Sequence, residues 1–508
     1  MSFVGIGFPA AGFAAPPSRV ACEARDNGTE AKLLECISEH DLWSHLREFQ
    51  RIADEHPGAD GHGNRDTGMS GYKASVAYVA KLMRGAGYKV TIQSYRWRHF
   101  EVVGTPALEL VGKGRVPTRE WQVARLSGSG DFTAPVQMSG RNAPGDEPAS
   151  GCARADFAGF RRGHIALLAR GRCNYDTQVA NAEAAGAAAV ILCNSPATTG
   201  DTGRGGRRDG GAFDAQLAEP ARVPVVGVAA HALGAELARA WDAGEAPSLH
   251  IDIRARQKSD TDYNVIADAP LGNPRHVVVL EGHLDAIYGA GMLDNASGSS
   301  TMLEIALNMA HTHTRHQLRY IWFGGEEIGL LGSKYYTRHL TPKENRRIVF
   351  DIDTDVTATP NFAILIADPK NAWNAKQFPP NVIRESRVGN RDFIDYFRSV
   401  GVVARNANNN GTDSNAFSLV GIPNTGIYTQ QDCCKQAWEV KLWGGYLGDF
   451  EGVVPGWGQA CVDKPHRWCD NLSNNDRFVL GFVSRAVAAV TLKLANDASL
   501  DQEKRAEE

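Results

Sequence analysis

Several things are scarce or missing in this chain. Its nine cysteines contain no CxxC pair, which argues against a structural zinc knuckle. No run of about 18 apolar residues is present, so no membrane span is expected. The formal net charge is only −4 and no basic stripe stands out, so a nucleic-acid partner is not expected. No glycine-rich phosphate motif sits between a strand and a helix, which removes the basis for a kinase or dehydrogenase. What is there, 43% hydrophobic and 22% charged residues, is the make-up of an ordinary globular protein. At 508 residues the chain exceeds one hydrophobic core, so two domains or one domain with an insertion are expected.

The cysteines fall locally: Cys22 with Cys36, Cys152 with Cys173, a lone Cys193, then Cys433, Cys434, Cys461 and Cys469. Local pairing fits disulfides formed in an oxidising compartment, with one thiol left over. Residues 3–15 are apolar and rich in small side chains and run into Pro16-Pro17-Ser18, like the end of a secretion signal, although no basic segment precedes them. A secreted protein, extracellular or periplasmic, is the expectation.

Composition and periodicity divide the chain into a candidate leader or tail (1–30), a first α/β part (31–105), a glycine-rich insert (106–255), a second α/β part (256–497) and a charged tail (498–508). Leu42, Leu46, Phe49 and Ala53 recur at helical spacing within 31–56, and Tyr72, Val76, Val79 and Leu82 mark a second helix. Later, strands at 277–280, 318–323 and 348–350 alternate with helices at 297–311, 327–340 and 476–494. This pattern predicts an α/β fold, a doubly wound, mostly parallel sheet whose strand ends share one crevice.

Each of those strand ends delivers a metal-type side chain. The first exits into Glu281-Gly282-His283-Leu284-Asp285, where His283 and Asp285, two apart, share one strand face. An imidazole ligand oriented by a carboxylate is a common pairing, and a hydrogen-bonded core histidine is the plainer alternative. Asp294 follows in Leu293-Asp294-Asn295-Ala296-Ser297-Gly298, where an ordinary helix cap is the alternative. The third strand ends in Gly324-Gly325-Glu326-Glu327, two carboxylates that need a cation unless they form a solvated turn opening a helix. The fourth leads into Phe350-Asp351-Ile352-Asp353-Thr354-Asp355, and His466 stands in a cysteine-bounded loop far down the chain. Acidic and imidazole side chains at successive strand ends are hard to ascribe to chance.

Residues 264–475 resemble the co-catalytic dizinc exopeptidases of the bacterial leucine aminopeptidase and aminopeptidase Y type. The motifs are Asn264-Val265-Ile266-Ala267, His283-Leu284-Asp285, Asp294 to Gly298, Gly325 to Leu330, Phe350-Asp351, Gly421-Ile422-Pro423, and His466 with Cys469-Asp470. Residues 40–95 match as well, and 156–187 are similar to the protease-associated domain, with Cys152 and Cys173 paired and Gln178 where lysine is common. The implied fold is a zinc-exopeptidase α/β domain with an inserted β-rich α+β protease-associated domain.

The resemblance implies two zinc ions per chain: one on His283 and Asp351, the other on Glu327 and His466, with Asp294 bridging. Glu326 falls on the catalytic acid/base, and Asp285 on the carboxylate that orients His283. A zinc-bridging water would lose its proton to Glu326 as it attacks the peptide bond nearest a free N-terminus. Asp353 and Asp355 are alternatives to Asp351, which the match at Phe350 favours. The family's oxyanion-holding tyrosine is replaced by Pro465, leaving Tyr428 as a candidate. Cys461, Cys433 and Cys434 are alternative partners for Cys469. Gly324 stands where relatives often carry an aromatic residue or alanine, a change read as tolerable. Other readings are a carboxypeptidase or a single-zinc glutaminyl cyclase on this fold, or a receptor-like protein that keeps the fold without catalysis.

Overall fold

The computed structural model describes residues 17–501 except 59–60, 140–149, 170–172, 194–211, 214, 216, 229–232, 288, 373, 408–410, 431–434 and 449–469. The residues 3–15 and the loop bearing Cys433, Cys434, Cys461, His466 and Cys469 therefore lie outside the described residues. The chain forms two compact units, one of residues up to Tyr95 together with those from Asp262, the other Arg96–Thr261.

Eight strands make the sheet that carries the first unit's core: β1 (Lys89–Val102) and β2 (Ala255–Asp268), which run past the unit's boundaries, then β3 (Asn273–His283), β4 (His316–Phe323), β5 (Ile348–Thr354), β6 (Leu365–Ala367), β7 (Arg405–Ala407) and β8 (Asn424–Tyr428). Their order is β1-β2-β4-β3-β5-β8-β6-β7. The central four, β4, β3, β5 and β8, run parallel, while β2 joins β4 and β6 joins β8 antiparallel. Residues Val277 to His283 of β3 are all buried, as expected of a strand covered on both faces.

The helices show why these elements form. In α1 (Glu39–Glu55) the Ser38 side chain accepts the Asp41 amide at 3.4 Å, and Leu42, Leu46, Phe49 and Ala53 point into the core. The expected helix over 31–56 is broken, since Glu30–Leu34 forms a separate turn before Ser38 restarts the helix. The next helices are α2 (Ser70–Gly85) and α3 (Ser297–Met309), and then α4 (Leu331–Arg338) starts four residues later than expected. The delay has a backbone cause: the amides of Gly329 and Leu330 both donate to the Glu326 carbonyl at 2.9 Å, and Leu330 has a positive φ of 58°.

β5 also differs. It runs on to Thr354 instead of ending at Phe350, with all seven residues buried. Aspartate is depleted in strands, yet Asp351 and Asp353 continue the ladder here.

The last helix, α5 (Arg477–Asn496), is by length and composition apolar enough to cross a membrane, contrary to the reading that no such segment exists. It is mostly buried, with Val483, Ala486, Val487 and Val490 in the same core as Leu280, Tyr320, Trp322 and Ile352. A helix apolar nearly all round is what a protein interior accepts.

The second unit holds an eight-stranded sheet of its own, with Ile165–Ala169, Ala189–Cys193 and Val225–Val228 as its parallel neighbours. Helix Tyr175–Ala185 is capped by Asn174 and ends at Gly186, whose φ of 86° suits glycine. Cys152–Cys173 is a disulfide there, and Cys22–Cys36 is one in the first unit. Gln178, fully buried, donates to the carbonyls of Ser150 and Ala169, a task that needs no charge.

Candidate metal centre

His283 is the last residue of β3 and is 1% exposed. Its Nδ1 lies 3.1 Å from the main-chain oxygen of Asp285. A carbonyl only accepts, so Nδ1 carries a proton, and in the neutral ring Nε2 presents a lone pair. That nitrogen is 2.9 Å from Asp294 Oδ1 and 3.3 Å from Asp355 Oδ1, with no aligned hydrogen bond. Acceptors facing one another in a buried space call for a cation. Burial disfavours the imidazolium, yet Asp355 and Glu326 outweigh it and raise the His283 pKa.

Two donor groups meet at this histidine. His283, Asp294 and Asp355 form one and His283, Glu326 and Glu327 the other, each with its donor atoms within 4.8 Å of one another. Burial pushes both glutamates well above the ordinary carboxyl range, and the surrounding carboxylates add to it for Glu327. Imidazole with carboxylates is a donor set that suits zinc, and so many buried acids can ionise together only beside cations.

The Glu326-Glu327 turn is held from below. Asp285 Oδ1 accepts the Glu326 amide at 3.2 Å, and Oδ2 accepts the Glu327 amide at 3.4 Å and the Thr67 hydroxyl at 2.7 Å. The Asp285 carboxylate, 3.7 Å from His283 Nδ1, is thus engaged with the glutamate turn, while its own carbonyl orients the imidazole. Gly324 leaves space that a neighbouring tyrosine fills. A Cβ on it would meet Tyr72 Oη at 2.2 Å, and that hydroxyl donates to the Tyr263 carbonyl at 2.5 Å.

Asp294, joined to Asn295 by a cis peptide, is not a cap for α3. Asn295 does that work, its Oδ1 accepting the Gly298 amide at 2.9 Å. The Asp470 carboxylate accepts the Leu293 and Asp294 amides at 2.8 and 3.0 Å and so locks the loop. Behind it Arg65, fully buried, donates to the carbonyls of Leu284, Ala290 and Gly291 at 2.7–2.9 Å. Burial lowers that guanidinium to about 10, though Asp470 and Asp285 oppose the shift.

The structure does not bring Asp351 to this cluster. The register sets Asp351 beside Val279 and Asp353 beside Glu281, upstream of His283, so the acid that leaves the strand at the right height is Asp355. Asp351 is fully buried with neither carboxyl oxygen hydrogen-bonded, and burial, then Asp353 and Asp413, raise its pKa. Sequence reasoning ended the strand too early, so the Asp351 it favoured lies inside β5 and not at its exit. It also missed Asp413, fully buried before helix Ser414–Leu419 and pushed up to about 7 by burial against the attraction of His283. Tyr428, at the end of β8, is partly buried against the main core. His466 lies outside the described residues, and Asp470 is where the description resumes.

A model of peptidase family M28 matches residues 264–491, and a PA domain model matches residues 132–237. An aminopeptidase of Pseudomonas aeruginosa strain UCBPP-PA14 is 31% identical over 477 residues, 91% of this chain and 82% of that protein. A probable lipoprotein aminopeptidase of Mycobacterium tuberculosis is 27% identical over 91% of this chain and 86% of its own length. Among solved structures, an aminopeptidase from Aneurinibacillus sp. strain AM-1 aligns with a TM-score of 0.68 at 20% identity, covering 91% of this chain and 95% of that one. A zinc aminopeptidase from Bacillus subtilis aligns with a TM-score of 0.59 at 21% identity, over 91% and 96%. The strand ends that gather His283, Asp294, Glu326, Glu327 and Asp355 fall inside the family match, and this chain belongs to peptidase family M28, with a PA domain inserted in it.

Proposed function

We propose that this chain is a zinc-dependent aminopeptidase that removes the N-terminal residue from peptides. The observation that carries the reading is the pair of donor groups sharing His283, with Asp294 and Asp355 on one side and Glu326 and Glu327 on the other. Two zinc ions per chain are proposed, one held by His283 and Asp355, the other by Glu327 and, through the family resemblance, His466. Asp294 would bridge them. Zinc bound there supplies a Lewis acid for the peptide carbonyl and a water of lowered pKa.

The remaining work falls to the chain. Glu326, raised in pKa by burial, accepts a proton from the water whose oxygen attacks the carbonyl carbon, then passes that proton to the leaving amine as the C–N bond breaks. Asp285 positions the turn that carries Glu326 and, through its carbonyl, the ring of His283. Asp470 and Arg65 keep the Asp294 loop fixed against the charge it carries.

Release to an oxidising compartment, extracellular or in the cell envelope, is proposed on the Cys22–Cys36 and Cys152–Cys173 disulfides. The mycobacterial relative, a probable lipoprotein aminopeptidase, supports the same reading.

The test is hydrolysis of aminoacyl-nitroanilides, their N-acetyl forms and peptides with a blocked amine, before and after a chelator and after zinc is returned. Cleavage only of free-amine substrates, abolished by the chelator and restored by zinc, is expected. Equal cleavage of N-acetyl substrates, or indifference to the chelator, would refute the reading.

A further inference from the structure

At the opposite strand ends from His283, a second group of metal-type donors lies within the first unit. His276, His316 and Asp501 each place a donor atom within 4.8 Å of the others. His316 opens β4, while His276 precedes Val277 in β3 where the pairing slips: Asn273 faces His316, yet Val277 faces Gln317. Extra residues in one strand re-aim its side chains, and here the two imidazole rings come to 5.7 Å. Asp501 arrives from the last described turn, Ala498–Asp501, just beyond α5.

The tautomer of His316 makes the group more than a cluster. His316 is 0% exposed, and its Nε2 lies 2.8 Å from the Asp497 carbonyl. Since a carbonyl only accepts, Nε2 holds the proton and Nδ1 of the neutral ring presents its lone pair. That Nδ1 is buried without a hydrogen-bond partner and faces Asp501 Oδ1 at 3.5 Å. The same oxygen is 3.1 Å from His276 Nδ1, whereas the Arg315 side chain occupies Oδ2. Arg315 thus turns one carboxylate oxygen toward both histidines.

We propose that His276, His316 and Asp501 bind a divalent transition metal of the zinc type, separate from the peptidase centre, that clamps the C-terminal turn to the starts of β3 and β4. Two imidazoles and a carboxylate are a zinc donor set, and an imidazole whose other nitrogen is anchored on a carbonyl is oriented as metal ligands are. The His276 side chain is 28% exposed, which opens the site to the ion and to a water as fourth ligand.

The experiment is a Zn2+ titration of the metal-stripped full chain beside His276→Ala and Asp501→Asn, reading bound zinc per chain and melting temperature. Wild type should bind one more zinc than either variant, or bind that zinc at least about 100-fold more tightly. Its melting temperature should rise further with zinc than that of the variants, while peptidase rates at saturating zinc stay equal. Equal stoichiometry and equal zinc-induced stabilisation in all three proteins would overturn the proposal and leave only the direct His276–Asp501 contact. Should His276→Ala fail to fold, Asp501→Asn, which alters a surface turn, decides by the same comparison.

Discussion

Exchanging Asp355 and Asp351 for asparagine, one at a time, separates two assignments four positions apart, one inside β5 and one just past its end. Asp355 Oδ1 lies 3.3 Å from His283 Nε2, whereas Asp351 sits beside Val279, upstream on the neighbouring strand. Asparagine keeps the size of the side chain and removes its charge. Loss of a residue that merely supports a metal ligand weakens binding about 10- to 100-fold. Loss of a ligand should reach at least the upper end, about 100-fold or ~2.7 kcal/mol. Asp355→Asn should therefore release zinc to a chromophoric chelator at far lower chelator concentration than wild type. Asp351→Asn should hold zinc within about threefold, which is under 1 kcal/mol. It should also melt no lower than wild type, because the carboxyl it removes is fully buried and lacks hydrogen-bond partners. Melting of the metal-free forms serves as the control for misfolding. Zinc loss in Asp351→Asn with normal zinc in Asp355→Asn would refute the register argument.

Other consequences are open to measurement. Gly324→Ala should destabilise the protein by about 1–3 kcal/mol in chemical denaturation, the usual cost of overpacking, since its Cβ would lie 2.2 Å from Tyr72 Oη; an unchanged midpoint would contradict the packing described. In the metal-free protein, burial pushes Asp262 and Asp470 each up to about 7, above the unfolded value. Their contribution is therefore complete below about pH 4 and lost as pH rises through about 7. Metal-free melting temperatures should fall across that window and fall less in Asp262→Asn, and identical pH profiles for the two proteins would speak against it.

Much of the architecture was legible because the strands around His283 and Glu326 are runs of apolar, mostly β-branched and aromatic residues that give way to glycines at their ends. Those strand ends also exposed His283, Asp294, Glu326 and Glu327, four side chains that local pattern alone could place at one crevice. What escaped the sequence was depth. Asp351 and Asp353 look like loop residues but are buried inside β5, and only strand pairing shows that the exit comes at Asp355. The same limit hid Asp413, which comes close through the fold and not through any spacing, and the task of Asp285, whose carboxylate serves the glutamate turn while its carbonyl serves His283. Arg65 was visible as part of a polar turn, but its burial against three carbonyls from the Leu284–Gly291 loop depends on contacts some 220 residues away.

The central claim is that one glutamate of the pair holds metal while its neighbour moves a proton, and Glu326→Gln tests it most directly. Zinc content and kcat on a free-amine aminoacyl-nitroanilide are measured on the same preparation. The account predicts wild-type zinc with kcat lowered roughly 100-fold or more, the usual worth of a positioned general base. Near-normal turnover with zinc intact would contradict it.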